Sequence, residues 1–354
     1  MNYEIDFLPV GDSNGDAICL RYGSPDSFCV HVIDGGFTDT AETVVEHIRR
    51  YYGRNAYINH LVLSHADNDH ACGLIGVLEN IHVEAIWMNR PWLYVSEIID
   101  SFHGNWTRAG LTREIKDKHP YLVELEAIAN RRGIPIYPVF AGCRIGQCFT
   151  VLAPSKQRYI SLLPELDKTP LSYEQKASVF TKILEGAKDV IDIIRETWNI
   201  ESLDDDPPPT SASNETSVVQ LGILGNQRVL LTADVGPEGL REAAAYAQAL
   251  NLLGSPNFIQ VPHHGSRRNV TPSVLNQWLG QPLESDGVRR GVAFCSVGKD
   301  ADKYPRKKVS NAFLRRGYPV YATRGKSLRH HYGWGDRPGW SPAQPEPFYA
   351  DVED

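Results

Sequence analysis

Apolar and polar positions give the two halves of the chain a similar rhythm. Residues 3–10, 17–22 and 28–33 are apolar or alternating. Gly11-Asp12-Ser13-Asn14-Gly15 and Gly23-Ser24-Pro25-Asp26 separate them, which predicts three strands joined by turns. Residues 40–52 predict a helix, with Thr38, Asp39 or Thr40 as its cap. A strand at Leu61-Val62-Leu63, a helix near 73–79 and a strand near 83–88 then make a β-α-β pattern. Residues 92–132 are mainly helical, with Pro120 between two helices or in the first turn of the second. Residues 134–137 and 149–152 predict strands, and Pro135 and Pro138 place the first at a sheet edge.

The pattern then changes. Residues 155–164 and 172–198 show helical spacing, through Val179, Ile183, Ala187, Val190, Ile191 and Ile194. They predict a helical insertion, about 155–212, closed by the polar, proline-rich run from Asp204 to Ser211. Such a helix packs on its own domain, forms a lid or offers a surface to a protein partner. Strand signals return at 217–224 and 228–231 around the turn Gly225-Asn226. A helix at 237–252, strands at 257–261 and 292–297, a helix at 306–316 and a strand at 319–322 follow. Two alternating β/α halves predict an α/β fold, a four-layer αββα sandwich. The expected organisation is one catalytic domain, 1–331, carrying the insertion, followed by an irregular tail, 332–354.

Composition narrows the class. At 42% hydrophobic and 22% charged residues, a packed globular protein is expected. No apolar run approaches the roughly 18 residues of a membrane span, and the N-terminus lacks a secretory layout, so no membrane and a cytoplasmic location are expected. The six cysteines are scattered without a CxxC pair, which argues against a zinc ribbon or a disulfide framework. The net charge of −7 is uneven. Residues 260–331 hold 14 Lys/Arg against 4 Asp/Glu, a net of +10, leaving −17 on the rest. That asymmetry fits either a polyanionic partner or an internal match of basic and acidic faces.

The candidate chemistry centres on Ser64-His65-Ala66-Asp67-Asn68-Asp69-His70, straight after an apolar strand. Four ligand-type side chains in six residues, on a loop at a strand end, can converge on one metal; a solvated polar turn is the plainer alternative. Two further candidates stand at strand ends: Asp234, and His263 or His264. Asp34, ending the third strand, is placed to orient a ligand rather than to bind. Histidines mixed with aspartates make a fairly hard site, favouring Mn²⁺ over a softer Zn²⁺ set.

Taken in order, Asp34-Gly35-Gly36, His65-x-Asp67-x-Asp69-His70, Asp234 and His263-His264-Gly265-Ser266 resemble the metallo-β-lactamase superfamily, with Asp67 in place of a histidine. More narrowly, the chain resembles the soluble domain of ComEC, the competence DNA-uptake proteins. Gly15-Asp16-Ala17, Asn214-Glu215-Thr216-Ser217, Leu231-Thr232-Ala233-Asp234, Val261 to Ser266 and Ser296-Val297-Gly298 carry that likeness. The resemblance implies two divalent metal ions, Mn²⁺ or Zn²⁺. His65 and Asp67 would hold one, Asp69, His70 and His264 the other, and Asp234 would bridge. His263 would stand behind them or contact phosphate. Asn214 lies where the superfamily usually has a third-motif histidine. Asp69 would assist proton transfer, and Arg267 and Lys299, each following a motif loop, would contact phosphate. The function implied is metal-dependent phosphodiester hydrolysis, with DNA as the expected substrate. The alternatives are a small-molecule hydrolase, acting on a cyclic nucleotide, phosphorylcholine ester or lactone, and a component of a multi-protein, conceivably defence, complex.

Overall fold

The structure is a computed structural model that describes residues 1–166, 169–170 and 193–353 of the chain. Its strands are β1 (Asn2–Phe7), β2 (Ile18–Ser24), β3 (Ser27–Ile33), β4 (His60–Val62), β5 (Ile86–Trp87), β6 (Ile136–Tyr137), β7 (Arg144–Ile145), β8 (Phe149–Ala153), β9 (Ile193–Arg195), β10 (Val219–Leu224), β11 (Gln227–Leu231), β12 (Phe258–Gln260), β13 (Val292–Cys295), β14 (Val320–Ala322), β15 (Leu328–Tyr332) and β16 (Asp351–Glu353). Two seven-stranded sheets run in the orders β15-β1-β2-β3-β4-β5-β6 and β14-β13-β12-β11-β10-β8-β7. Each begins as an antiparallel meander and continues as parallel strands: β3, β4, β5 and β6 in the first, β11, β12, β13 and β14 in the second.

Strand alternation explains the four layers. Tyr3, Ile5 and Phe7 of β1, Ile18 and Leu20 of β2, Phe149 and Val151 of β8, and Val229 and Leu231 of β11 interleave between the sheets. Val30 and Val32 of β3 face the other way, onto the helices Thr40–His47, Asn68–Asn80, Arg108–Lys118 and Pro120–Arg132. Leu230 and Ile259 likewise face the helices Pro237–Ala249, Pro272–Leu279 and Lys307–Arg315. Helix, sheet, sheet, helix is the sandwich that the two alternating halves predict.

Three local expectations change. The helix expected near 73–79 starts five residues earlier, at Asn68, so Asp69 and His70 lie in its first turn rather than in a loop. It can start there because Gly35 and Gly73 let the helix sit on the end of β3; a Cβ on Gly73 would lie 1.9 Å from the Gly35 carbonyl oxygen. In the insertion, Lys156–Leu162 is helical as expected, but residues 193–195 form β9, paired antiparallel with β16. The remaining helical expectation, over 172–192, lies outside the described residues. The tail is irregular over 333–350, as expected, but β16 closes it, and β15 at 328–332, just before it, completes the first sheet. These pairings join residues far apart in sequence, which a local pattern does not register.

Charge anchors the tail. Arg337 donates to both oxygens of buried Asp6, at 2.6 and 2.7 Å, and Arg21 and Arg329 clamp Glu4. Burial alone would lift the Asp6 carboxyl, but His47 and Arg337 hold it down to about 2. The basic segment is also matched internally. Arg315 meets Glu196, Arg316 meets Glu201 and Lys308 meets Asp204, so the end of the insertion is pinned on the helix Lys307–Arg315. Arg267, Arg268 and Lys299 instead stand on the loops after β12 and β13.

Candidate metal centre

The site lies at the carboxyl ends of parallel strands from both sheets, where open α/β sheets commonly bind ligands. Asp34 follows β3, Ser64 and His65 follow β4, Asp234 follows β11, and His263 and His264 follow β12. Asp34, Ala233, His263 and His264 all adopt left-handed backbone conformations, with φ of 57°, 46°, 46° and 56°. Non-glycine residues held there cost about 1–3 kcal/mol each and persist where the surroundings fix them.

Asp34 is a hub. Its carboxylate accepts from the Ser64 backbone N–H (2.8 Å), the Ser64 hydroxyl (2.6 Å) and Nδ1 of His70 (2.8 Å). Because the Ser64 hydroxyl gives its proton to Asp34, its oxygen accepts from Nδ1 of His65 at 2.9 Å. Nδ1 of His264 donates to the carbonyl of Ser296, also at 2.9 Å. Each ring is therefore held by Nδ1, and each presents Nε2 inward. All three Nε2 atoms, with Oδ1 of Asp234, are buried and lack a hydrogen-bond partner. That pattern fits an outer shell that fixes tautomer and direction for a metal-binding inner shell.

The spacing agrees. Oδ2 of Asp234 lies 3.5 Å from Nε2 of His70, His264 and His263. Oδ2 of Asp69 lies 3.7 Å from Nε2 of His70 and 3.8 Å from that of His264. These gaps are too long for hydrogen bonds. They approach the roughly 3.4 Å between donor atoms sharing one ion at about 2.1 Å. Four groupings among the described residues can hold an ion: His65, His70 and Asp234; Asp69, His70 and His264; Asp16, Asp234 and His264; and Asp16, Asp34 and His70. The residues present thus fit a divalent metal, or two sharing His70 and Asp234. Without an ion the cluster is charged by proximity. Burial opposes a charged His264 ring, but Asp234 and Asp16 outweigh it and raise its pKa to about 9. His70 is likewise raised, against burial, by Asp234, Asp34 and Asp69. Asp234, despite its burial, is held well below the usual carboxylate range by His264, His263 and His70.

The other sequence candidates fall at the open side. Asp67 is 30% exposed, with Oδ2 at 3.5 Å from Nε2 of His65 and Oδ1 accepting from the Ser213 hydroxyl at 2.7 Å. His263 is 31% exposed, and its Nδ1 donates to Asn269 (2.9 Å), whose amide nitrogen is fixed on the Asp234 carbonyl (2.8 Å). Asn214 lies 3.1 Å from the same ring nitrogen. Of the two adjacent histidines, His264 has the buried, unpartnered Nε2 and His263 does not. Arg267 and Lys299 belong to the loops flanking His264: one follows it by three residues, the other follows the strand whose end accepts from its ring.

Several contributors were invisible as site residues in the sequence. Asp16 is buried within ligand distance of Asp234 and His264, although its motif was visible. Gln260 interrupts an apolar strand, the one sign that could have marked it. Ser64, Asn269 and the Ser296 carbonyl act through hydrogen bonds that no spacing encodes.

No family model matches this chain, and no curated protein matches it. Solved structures do. The metallo-β-lactamase fold protein YhfI from Bacillus subtilis aligns over 94% of this chain and 100% of its own, at 8% identity and a TM-score of 0.40. A putative metallo-β-lactamase from Thermotoga maritima aligns over 67% and 81%, at 10% identity and 0.32. The hydrolase AbOPH of the β-lactamase superfamily aligns over 63% and 56%, at 12% and 0.29.

Proposed function

We propose that this protein is a metal-dependent phosphodiester hydrolase that acts on DNA. The carrying observation is the convergence of three buried, unpartnered Nε2 atoms on the carboxylate of Asp234, each ring held from behind. A bound divalent metal, Mn²⁺ or Zn²⁺, would supply Lewis acidity and a water of lowered pKa. His65, His70, His264, Asp69 and Asp234 would hold it. Asp34 keeps the His65 and His70 rings turned so that Nε2, not Nδ1, faces the centre. Asp69, 28% exposed, would take a proton on the substrate side. Asp67 and His263 line the same open side. Arg267 and Lys299, on the loops after β12 and β13, would neutralise a phosphodiester's oxygens.

Cleavage of linear, circular and single-stranded DNA with Mn²⁺, over a salt series, tests this reading. Metal-dependent cleavage that Asp69→Ala abolishes, and that weakens steeply with salt, is expected. A chain that binds metal yet leaves all three DNA forms intact would overturn it. One observation favours the alternative of a small-molecule hydrolase. A small cleft at His65 is lined by Leu63, Ser64, Ala66, Asn89, Pro91, Tyr159, Leu166 and Thr216, of mixed polar and apolar character and partly from the insertion. Cleavage of a cyclic nucleotide or phosphorylcholine ester, with DNA untouched, would decide for that cleft.

A further inference from the structure

Two buried polar residues beside the histidine ligands connect the halves of the centre, Asp16 and Gln260, and Asp16 itself lies within ligand distance of Asp234 and His264. Asp16 lies near the end of the loop between β1 and β2, and Gln260 ends β12; they are 1% and 2% exposed. The main chain of Asp16 is tied to the first half. Its N–H donates to the Asp69 carbonyl (3.2 Å), and its carbonyl accepts from Gly36 (2.7 Å). Its approach is close because the preceding residue is Gly15, where a Cβ would lie 2.7 Å from the Asp69 carbonyl oxygen. The side chain of Asp16 points to the second half, where Oδ2 accepts from Nε2 of Gln260 at 2.8 Å.

The Gln260 amide has its orientation fixed by chemistry. Oε1 accepts from the backbone N–H groups of Thr232 (3.0 Å) and Ala233 (2.9 Å), which only an oxygen can do. Nε2 must therefore face Asp16. Thr232 closes the loop by donating its hydroxyl to the Gln260 carbonyl at 3.0 Å. The turn so held is the one where Ala233 takes its left-handed conformation, with φ of 46°, and where Asp234 is aimed at the centre. A continuous chain of short contacts thus runs from the Asp69 backbone through Asp16 and Gln260 to Asp234.

We propose that Asp16 and Gln260 are a positioning pair that sets Asp234 against the first-half ligands, so that metal affinity depends on this link between the sheets. The inference rests on the reading of the cluster as a metal centre. The positioning role needs only Oδ2 of Asp16, which supplies the acceptor, and Gln260, which passes that constraint to two amides. Oδ1 of Asp16 is buried without a partner, and Asp16→Asn separates positioning from ligation by it. Removing an outer-shell partner of this kind typically weakens metal binding 10–100-fold.

Mn²⁺ binding to the full chain, measured by calorimetry, tests the pair, with circular dichroism and thermal melting as controls for folding. Asp16→Ala and Gln260→Ala should each weaken Mn²⁺ about 10–100-fold, and together little more than singly, because they cut one link. Asp16→Asn retains an acceptor and should stay within about threefold of the parent, whereas Gln260→Glu loses the donor and should bind as weakly as Gln260→Ala. That Asn and Glu comparison decides the matter if the alanine variants do not fold. Unchanged affinity in the folded alanine or Glu variants, additive losses, or an Asn variant as weak as Asp16→Ala would overturn the positioning role. If the parent chain binds no divalent metal, the metal-centre reading fails instead.

Discussion

In the first sheet, the inward side chains come from one short stretch, and two of their rings hang on a single buried carboxylate, Asp34. In the second, Asp234 and His264 come from separate turns and are held through the backbone: the Ser296 carbonyl behind His264, and Asn269 and Gln260 on the main chain around Asp234. The first half aims ligands with side-chain hydrogen bonds, the second with backbone conformation. Damage to the first should therefore appear as lost metal affinity with the fold intact. Damage to the second should appear as lost stability together with lost affinity.

The largest effect tests whether both halves are needed at all. His70→Ala removes the ring shared by three of the four ligand groupings, and Asp234→Ala removes the carboxylate at which three rings meet. Each should lower metal-dependent hydrolysis by on the order of 10³-fold, about 4 kcal/mol of transition-state stabilisation. Steady-state rates at saturating metal measure it. If either variant keeps a tenth of the parent activity, the centre does not depend on that half.

The asymmetry also explains what could be read in advance. The first-half ligands stand in one motif after an apolar strand, so His65, Asp69 and His70 were legible together, and the layered fold followed from the two alternating halves. Asp234 and the His263-His264 pair were legible as strand-end residues, but the choice of His264 as the ligand came only from the family resemblance. Asp16 and Gln260 were not, because their contact crosses between the sheets. The charge asymmetry left two readings open, and three of its basic residues follow the internal one. Arg315, Arg316 and Lys308 are spent on Glu196, Glu201 and Asp204, an internal match that composition cannot distinguish from a basic docking face.

The seam between the halves gives a second, somewhat smaller effect. His330 of β15 lies between the sheets, its ring 5.2 Å from Phe258 and its Nε2 3.2 Å from the Tyr3 hydroxyl. Burial, helped by His331, lowers its pKa from the usual 6.5 to about 4. His31 of β3, stacked edge-on to Phe149, is lowered for the same reason. Between those values the unfolded chain binds a proton that the folded chain refuses, so stability falls as pH drops from about 6.5 toward 4. A shift of that size corresponds to about 3 kcal/mol from His330. Urea melts from pH 7.5 to 4 should show a shallower acid loss in His330→Phe than in the parent; equal losses would remove His330 from the seam's acid response.

The finest test separates the two means of aiming. Asp34→Asn keeps the shape of the hub but cannot accept from three donors as a carboxylate does, so the His65 and His70 rings lose their fixed direction. Metal affinity should fall about 10–100-fold, the range for a lost outer-shell partner. Asn269→Ala acts on the other half. Its amide nitrogen serves the Asp234 and Val235 carbonyls, at 2.8 and 3.2 Å, and its oxygen accepts from His263. Leaving those buried groups unpaired should cost about 1–3 kcal/mol of stability, and affinity should drop with it because the same carbonyl belongs to a ligand residue. Melting temperature and Mn²⁺ affinity, measured together on both variants, give the comparison its sharpest form. Asp34→Asn should move affinity further than stability, and Asn269→Ala should move both. If Asp34→Asn instead loses stability while its metal affinity holds, the carboxylate is a structural tie beneath the helix Asn68–Asn80 rather than the device that aims the first-half ligands.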